Sequence, residues 1–520
     1  MCFVGVMVIR VSVVVPVYVP GAAIDPLLAS LDRQTLPSDQ FEVLLCDDGS
    51  GKQTAEQLAG IAVDRPNVRV LSLPHTGWPG TPRNHGIDAA AGTYVQFVDQ
   101  DDYLFDAALE RLCDFADRNG SDIVVGREVG VGRRIPRRIF RHDVPRATLG
   151  DDPLLDMLTP HKLFRTAFLR EHGIRYPDGR VRLEDHLFVM RAYLAARTIS
   201  ILSSEPCYAW VRHPGSASSS RIDPDQYFPH LANVLALVDA HVEQGDLRDR
   251  LLRHWYRGKM LRRIAGQRLM NYPEAYRTRF FDAALPLVRR WVGDGVEEGL
   301  PPAERVRSRL LRADRRDDLA DFARWESELR CRVTVTSARW TRGGGLALAL
   351  SVGVTRGETD AAASLSEGDA GEWTADPSLR PFRDALIEAA GTGRRDRVAV
   401  SVRTDRGDSP LAKVSRPTRE GVRLAIDPLR AFAGEAGPGG TLVASVRRAG
   451  WAFDVPVTAG PGALAGVRRS PILAGRPCRL EVGDDGGARV HRDPSRGRGR
   501  EVLARTVRAA RARLGAVRGR

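Results

Sequence analysis

Residues 11–18 read VSVVVPVY, apolar at nearly every position and mostly β-branched, as expected for a strand buried on both faces. Behind it the apolar period alternates between two values. IDPLLASLDRQ has helical spacing, FEVLLCDD reads as a strand, QTAEQLAGIAV as a helix and NVRVLSL as a strand. PRNHGIDAAAG and YVQFVD then supply one more helix and strand. Alternation of this kind to about residue 225 predicts βαβ units, hence a Rossmann-like, mostly parallel α/β sheet with ligands at the carboxyl ends of its strands. From 226 to about 330 only the helical period remains, in HLANVLALVDAHV, LRDRLLRHWYRGKMLRRIAGQRLM, AYRTRFFDAALPLVRRWV and a stretch opened by Pro301-Pro302. After 331 short alternating segments (RVTVTSARW, LALALSVGV, RVAVSVRTD, VRLAIDP, TLVASVRR, WAFDVPVTA) predict a small immunoglobulin-like β-sandwich. The expected organisation is an α/β domain over 1–225, a helical linker over 226–330, the β-sandwich over 331–488 and a basic tail over 489–520.

Composition narrows the picture. A chain of 520 residues is too long for one core. No run of eighteen uncharged apolar residues occurs, so no transmembrane helix is expected. The apolar start is interrupted by Arg10 and lacks a basic leader, which favours a buried strand over a signal peptide. Six scattered cysteines show neither zinc-ligand spacing nor a disulfide framework and fit a reducing cytoplasm. The formal charge of +13 is concentrated at the end, where eleven arginines between Arg489 and Arg520 face only Asp493 and Glu501. There Leu503, Val507, Ala510, Leu514 and Val517 form one apolar stripe, so the tail is either a solvated polyanion-seeking arm or an amphipathic helix peripheral to an anionic membrane. No nucleic-acid-binding motif accompanies this charge, and no specific nucleic-acid partner is expected. GxGxxG after the first strand and GxxxxGK[ST] are both absent, which disfavours dinucleotide and P-loop chemistry.

The candidate chemistry lies at the strand ends. QFVDQDD places Asp99, Asp101 and Asp102 within four positions, and CDDGS places Asp47 and Asp48 on what would be the same rim. Two like charges about 4 Å apart repel by roughly 4 kcal/mol at an effective dielectric near 20. Asp106 is the better candidate to cap the next helix, so capping does not account for the whole cluster. A divalent cation shared with a diphosphate would account for it.

In order and spacing, VSVVVPVY, CDDGS, TPRNHGIDAAAG and YVQFVDQDD resemble the inverting family 2 glycosyltransferases of the GT-A fold. GWPGTPRN and LTPHKLFRTAFLREHGIRYP with EDHLFVMRAYLAARTISILS are similar to the wall teichoic acid β-N-acetylglucosaminyltransferases that decorate poly(ribitol phosphate). The resemblance implies a UDP-sugar donor, an anionic polymer or glycan acceptor, Mn2+ or Mg2+, a cytoplasmic location and β modules that bind acceptor or build a homo-oligomer. It places Pro16 and Tyr18 at the uracil, with Asp48 accepting a hydrogen bond from it, and Arg83 at the phosphates or uridine. Asp99 falls at the ribose or metal region, Asp101 on the metal, and Asp185 as the base, with Glu184 as the other choice. A helix N-terminus would keep that base ionised. His161, His186, Arg212, His213, Ser216 and Ser218 are candidate acceptor, metal or diphosphate contacts. A capsular polysaccharide or other glycan acceptor remains an alternative.

Overall fold

The structure, a computed structural model, describes residues 9–213, 221–340, 346–356, 397–404, 407–410, 422–426, 439–448, 451–460, 462–464 and 478–492. Ser216, Ser218 and the tail beyond Arg492 lie outside the described residues. The chain divides into two compact units, Met1–Gly258 with Glu274–Val296, and Lys259–Pro273 with Glu297–Arg520.

The first unit is a three-layer α/β body. Its strands and helices run β1 (Val11–Val17), α1 (Asp25–Asp32), β2 (Phe41–Asp47), α2 (Lys52–Asp64), β3 (Val68–Ser72), α3 (Gly80–Ala89), β4 (Tyr94–Phe97), β5 (Tyr103–Leu104), α4 (Ala108–Asn119), β6 (Ile123–Val131), β7 (Val144–Ala147), β8 (Leu163–Arg165), α5 (Thr166–Glu171), α6 (Glu184–Ala195) and β9 (Ile199–Val211). The sheet order is β3-β2-β1-β4-β8-β6-β9-β5, with β7 on β9. β3, β2, β1 and β4 are parallel, as the alternation predicts, but β8 runs antiparallel to both β4 and β6. The sheet is therefore mixed. β8 is inserted against the direction of its neighbours, while β6 and β9, joined through α5 and α6, pair in parallel again. β1 and β2 are buried almost end to end, which is why their sequences lack polar alternation. The core beneath them gathers Val11, Val13, Val15, Leu27, Leu45, Leu58, Leu109 and Leu112.

Helices α7 (Pro224–His241), α8 (Asp246–Trp255) and α10 (Glu274–Trp291) belong to this unit too. The continuous helix expected over 247–270 breaks. A π turn (Tyr256–Met260) and a 3-10 turn (Leu261–Arg263) follow α8 before α9 (Gly266–Met270) begins. Gly266 has φ +46°, and its N–H donates to the Glu326 carboxylate at 2.9 Å, so a tertiary partner competes with the helix at that point. α11 (Asp294–Glu298) crosses the boundary between the units.

In the second unit α12 (Pro302–Arg312) and α13 (Arg316–Ser327) lead into β10 (Leu329–Trp340), β11 (Leu346–Arg356), β12 (Arg397–Thr404), β13 (Gly407–Pro410), β14 (Val422–Ile426), β15 (Gly439–Arg448), β16 (Trp451–Ala459), β17 (Cys478–Val482) and β18 (Ala488–Arg492). Pairing runs continuously as β13-β12-β15-β16-β10-β11-β14, with β18 joining β15 to β17. The only parallel step on that path, among the described residues, is β10 on β16. Val333, Leu348, Val400, Leu424, Leu442, Val457, Leu480 and Val490 share one apolar core, so the strands wrap around a common interior.

Candidate active site

The carboxyl ends of β1, β2 and β4 meet the start of α3, the start of α6 and the end of β9. α3 lies unusually close to the sheet. A Cβ on Gly86 would stand 2.2 Å from Val14 Cγ1, so only glycine permits the approach. That approach buries Arg83, one helical turn earlier, to 3% exposure. Its Nη2 donates to Asp99 Oδ1 at 2.7 Å and its Nη1 to Asp185 Oδ1 at 3.1 Å. The guanidinium lies over the Tyr176 ring, 5.2 Å from its centroid. Tyr176 is fixed in turn by a two-way bond with Asn84, at 2.9 and 3.0 Å, and by stacking on Phe188 at 4.0 Å. Arg83 thus ties α3, β4 and α6 together. At 3% exposure it lies behind the two carboxylates that it holds, with its Nε–H left without a partner among the described residues.

The three acids of QFVDQDD separate into three environments. Asp102 is buried and accepts hydrogen bonds from the Tyr208 hydroxyl and the Val211 N–H, both at 2.7 Å. Burial, then the charge of Asp99, push its carboxyl up to about 7. Asp99 turns to Arg83 with one oxygen and to His161 with the other, at 3.3 Å. Burial would raise it, but the charges of Arg83 and His161 outweigh burial and hold it well below the ordinary carboxylate range. Asp101 is the open one, 40% exposed, with His213 Nε2 at 3.6 Å from Oδ2 and 2.8 Å from its backbone oxygen. Burial and Asp99 raise Asp101. The crowding inferred from the sequence is therefore relieved largely by protein cations and donors.

His161 does not reach an acceptor edge. It is 4% exposed and sits between Asp99 and Glu128, whose Oε2 lies 3.4 Å from Nδ1, while its ring stacks on Tyr208 at 3.9 Å. Burial opposes its charge, but Glu128 and Asp99 prevail and raise it to about 10. Two groups bring ligand atoms within 4.8 Å of one another: Asp99, Asp102 and His161, and Asp101, Asp102 and His213. Both sets combine carboxylates with an imidazole, a donor set able to hold a divalent cation, and the second includes the more exposed Asp101. The expected pair Asp99 with Asp101 is not brought together in either group, because Asp99 is turned toward Arg83 and His161.

Across from these acids, Glu184 and Asp185 open α6. The preceding Leu183 has φ +64°, a left-handed conformation that a bulky side chain adopts at a cost of about 1–3 kcal/mol. Asp185 is about a third exposed. Burial, and the charge of Asp99, raise it despite Arg83, so the helix terminus does not dominate its protonation as expected from sequence. Glu184 is buried; burial and Asp185 push it up to about 8, against Arg83 and the Trp78 indole. Lys162 is wholly buried, donates to the Thr159 carbonyl and is lowered by burial to about 8. His186 takes the Trp255 indole N–H on Nδ1 at 3.1 Å and belongs to neither metal-capable group.

At the carboxyl end of β1, Pro16 lies in the strand and Tyr18 just beyond it. Tyr18 is half exposed, stacks on His75 at 4.7 Å and exchanges backbone bonds with the Gln100 amide. The Asp48 carboxylate is buried and already accepts from Thr76 N–H, Thr76 Oγ1 and Gly77 N–H at 2.7–2.9 Å. It shapes the turn that presents His75, and its oxygens are committed to that turn. Asp47 bonds Ser50 in the same way. Gly49, with φ +69°, must be glycine, since a Cβ there would lie 2.7 Å from His75 N. Asp106 caps no helix; it pairs with Arg33 at 3.1 Å. Arg212 is exposed at the end of β9. Sequence reasoning missed Glu128, Lys162, His75 and Trp78. Each signals itself only as an isolated polar or aromatic residue beside a strand or turn.

Residues 12–172 match the family described as glycosyl transferase family 2, and residues 224–323 the glycosyl transferase TarS linker domain. The chain is 35% identical over 243 residues to the poly(ribitol-phosphate) β-N-acetylglucosaminyltransferase TarS of Staphylococcus aureus, covering 46% of this chain and 42% of that protein. It is 33% identical over 234 residues to a poly(ribitol-phosphate) β-glucosyltransferase of Bacillus spizizenii, covering 44% of this chain and 37% of the relative. The chain thus spans less than half the length of these curated relatives. The crystal structure of S. aureus TarS 1–349 in complex with UDP-GlcNAc superposes with a TM-score of 0.56 and 25% identity, over 68% of this chain and 98% of that one. Among the described residues, no helix is long and apolar enough to cross a membrane.

Proposed function

We propose that this chain, built on a family 2 glycosyltransferase domain followed by a TarS-type linker, moves a sugar with inversion from a UDP donor to a hydroxyl of a ribitol phosphate polymer. The sugar is taken to be N-acetylglucosamine, as in TarS, and the work is placed in the cytoplasm. The observation that carries the reading is the forked Arg83, which holds a carboxylate of the acidic rim and the carboxylate of α6 at fixed positions across one cleft.

In this reading the uracil rests on Pro16 and on the exposed Tyr18–His75 ledge. Asp101, Asp102 and His213 would hold Mn2+ or Mg2+, which neutralises the diphosphate when bound. Asp185 accepts the proton of the incoming acceptor hydroxyl as its oxygen bonds to the anomeric carbon. The bond from that carbon to the diphosphate breaks with its electron pair leaving on UDP, so the configuration inverts. A raised Asp185 suits the role, since a stronger base shares the proton more readily in the transition state. Arg83 keeps Asp185 oriented without neutralising it, because its charge is shared with Asp99.

Donor binding with Mn2+ is the first test, using UDP-GlcNAc and UDP-glucose side by side. Glucose is the second reading, favoured by the similar identity to the Bacillus spizizenii enzyme. Asp101→Ala should abolish metal-dependent donor binding, and Asp185→Asn should spare binding and remove turnover. Retained turnover in Asp185→Asn would refute the assignment of the base.

A further inference from the structure

The rim beside α6 carries a feature that donor chemistry leaves unused. Two arginines, Arg180 and Arg182, place their guanidinium carbons 5.7 and 5.6 Å from the centroid of one indole, Trp78. They sit in the short strap of residues 176–183 that leads into Glu184 and Asp185. The strap is held at both ends. Tyr176 is locked to Asn84 in both directions, and Gly80 approaches so closely that a Cβ there would lie 3.1 Å from the Pro177 carbonyl. At the other end the Arg182 N–H donates to His230 Nδ1 at 3.1 Å. Gly179 (φ +74°) and Leu183 (φ +64°) bracket the two arginines, and the second is a strained position for leucine. Strain beside the base implies that the orientation of the strap matters.

We propose that Trp78, Arg180 and Arg182 form a phosphodiester-binding subsite for the acceptor chain, on the side of the cleft where Asp185 awaits the hydroxyl. The inference rests on the reading of the acceptor given above. The exposed Asp101 and the partly exposed Asp185 disfavour a polyanion at the mouth of the cleft unless cations stand at its edge. Cation–π contact with one indole keeps both guanidinium groups beside it, and a guanidinium matches phosphate oxygens in a forked geometry. Two such groups on one ring recognise a phosphodiester rather than a neutral glycan. The diphosphate of the donor belongs instead near Asp101 and His213, at the ends of β4 and β9.

The test is direct binding of a short ribitol phosphate oligomer to the full chain by calorimetry, with free ribitol as the neutral control and UDP with Mn2+ titrated separately. Arg180→Ala with Arg182→Ala together should weaken oligomer binding at least tenfold and flatten its salt dependence, while UDP affinity stays within twofold. Arg180→Lys with Arg182→Lys should restore part of the affinity. Unchanged oligomer affinity in the double alanine variant, or an equal loss of UDP affinity, would overturn the subsite. Wild-type protein that binds the oligomer but no UDP-sugar would overturn the transferase reading and leave the subsite supported.

Discussion

Arg83 shows how one buried cation can serve two carboxylates with different tasks. Its fork is satisfied by Asp99 and Asp185, so Arg83→Lys keeps a charge but can no longer hold both groups in place. We expect a fall in kcat/KM of about a hundredfold or more, with donor affinity changed far less, read from steady-state kinetics. Arg83→Ala would also leave the partly buried Asp99 and Asp185 carboxylates without their cation, a destabilisation that a denaturant titration should show. Asp185 sets the pH response. A base works deprotonated, so activity is lost as pH falls through its raised value, and the acid limb of the kcat/KM profile lies above the ordinary carboxylate position. Lys162 favours the charged form of Asp185, so Lys162→Met should move that limb further up in pH; a downward shift would contradict this account. At this scale the residue types were legible, because acids at strand ends and an Asp at a helix start announce themselves. Their partners were not. That Asp48 serves a turn, Asp102 a strand and His161 the interior depends on Thr76, Tyr208 and Glu128, which are distant in sequence and carry no local signal.

Elements built from long periodic runs appear where the pattern puts them, because a buried strand such as β1 or an amphipathic helix such as α4 is specified by its own residues. Errors arise where a tertiary contact decides. The helix expected over 247–270 yields at Tyr256–Met260, and β8 reverses against the sheet, through contacts that no window of sequence contains. β17 and β18 are recovered only through their pairing with each other and with β15. Local chemistry and tertiary need coincide at α3, whose Gly86 sets the height of the helix above β1. Gly86→Ala places a methyl against Val14, where overpacking costs about 1–3 kcal/mol. Thermal unfolding should show a lowered midpoint. Arg83 would be lifted with the helix, so turnover should fall more than the stability loss alone explains, an outcome visible as reduced kcat well below the melting range.

At the scale of the chain, the stretch 224–323 that matches the TarS linker contributes helices to both compact units. α7, α8 and α10 belong to the unit that holds the site, while α9, α12 and α13 belong to the unit that holds the β strands. The second group is anchored by Glu326, which accepts from Arg307 at 2.8 Å, from Gly266 N–H at 2.9 Å and from the Trp451 indole of β16 at 2.8 Å. Trp325 packs on the same Trp451 at 5.8 Å. Removing residues from 331 onward takes Trp451 away and leaves the buried Arg307–Glu326 pair open to water. The helices over 297–330 should then melt well before the first unit, as two separate transitions in calorimetry. All described residues of the proposed donor and base sites lie in the first unit, so hydrolysis of free UDP-sugar should survive the deletion. Modification of long polymer should fall far more, since a β module that binds acceptor acts only when acceptor is long enough to reach it. Equal loss of hydrolysis and polymer transfer would mean that the β unit supports the fold of the site and does not recruit the polymer. Trp451→Ala in the full chain separates the two effects, because it weakens the anchor while leaving the β surface in place; polymer transfer should then persist at temperatures below the first transition.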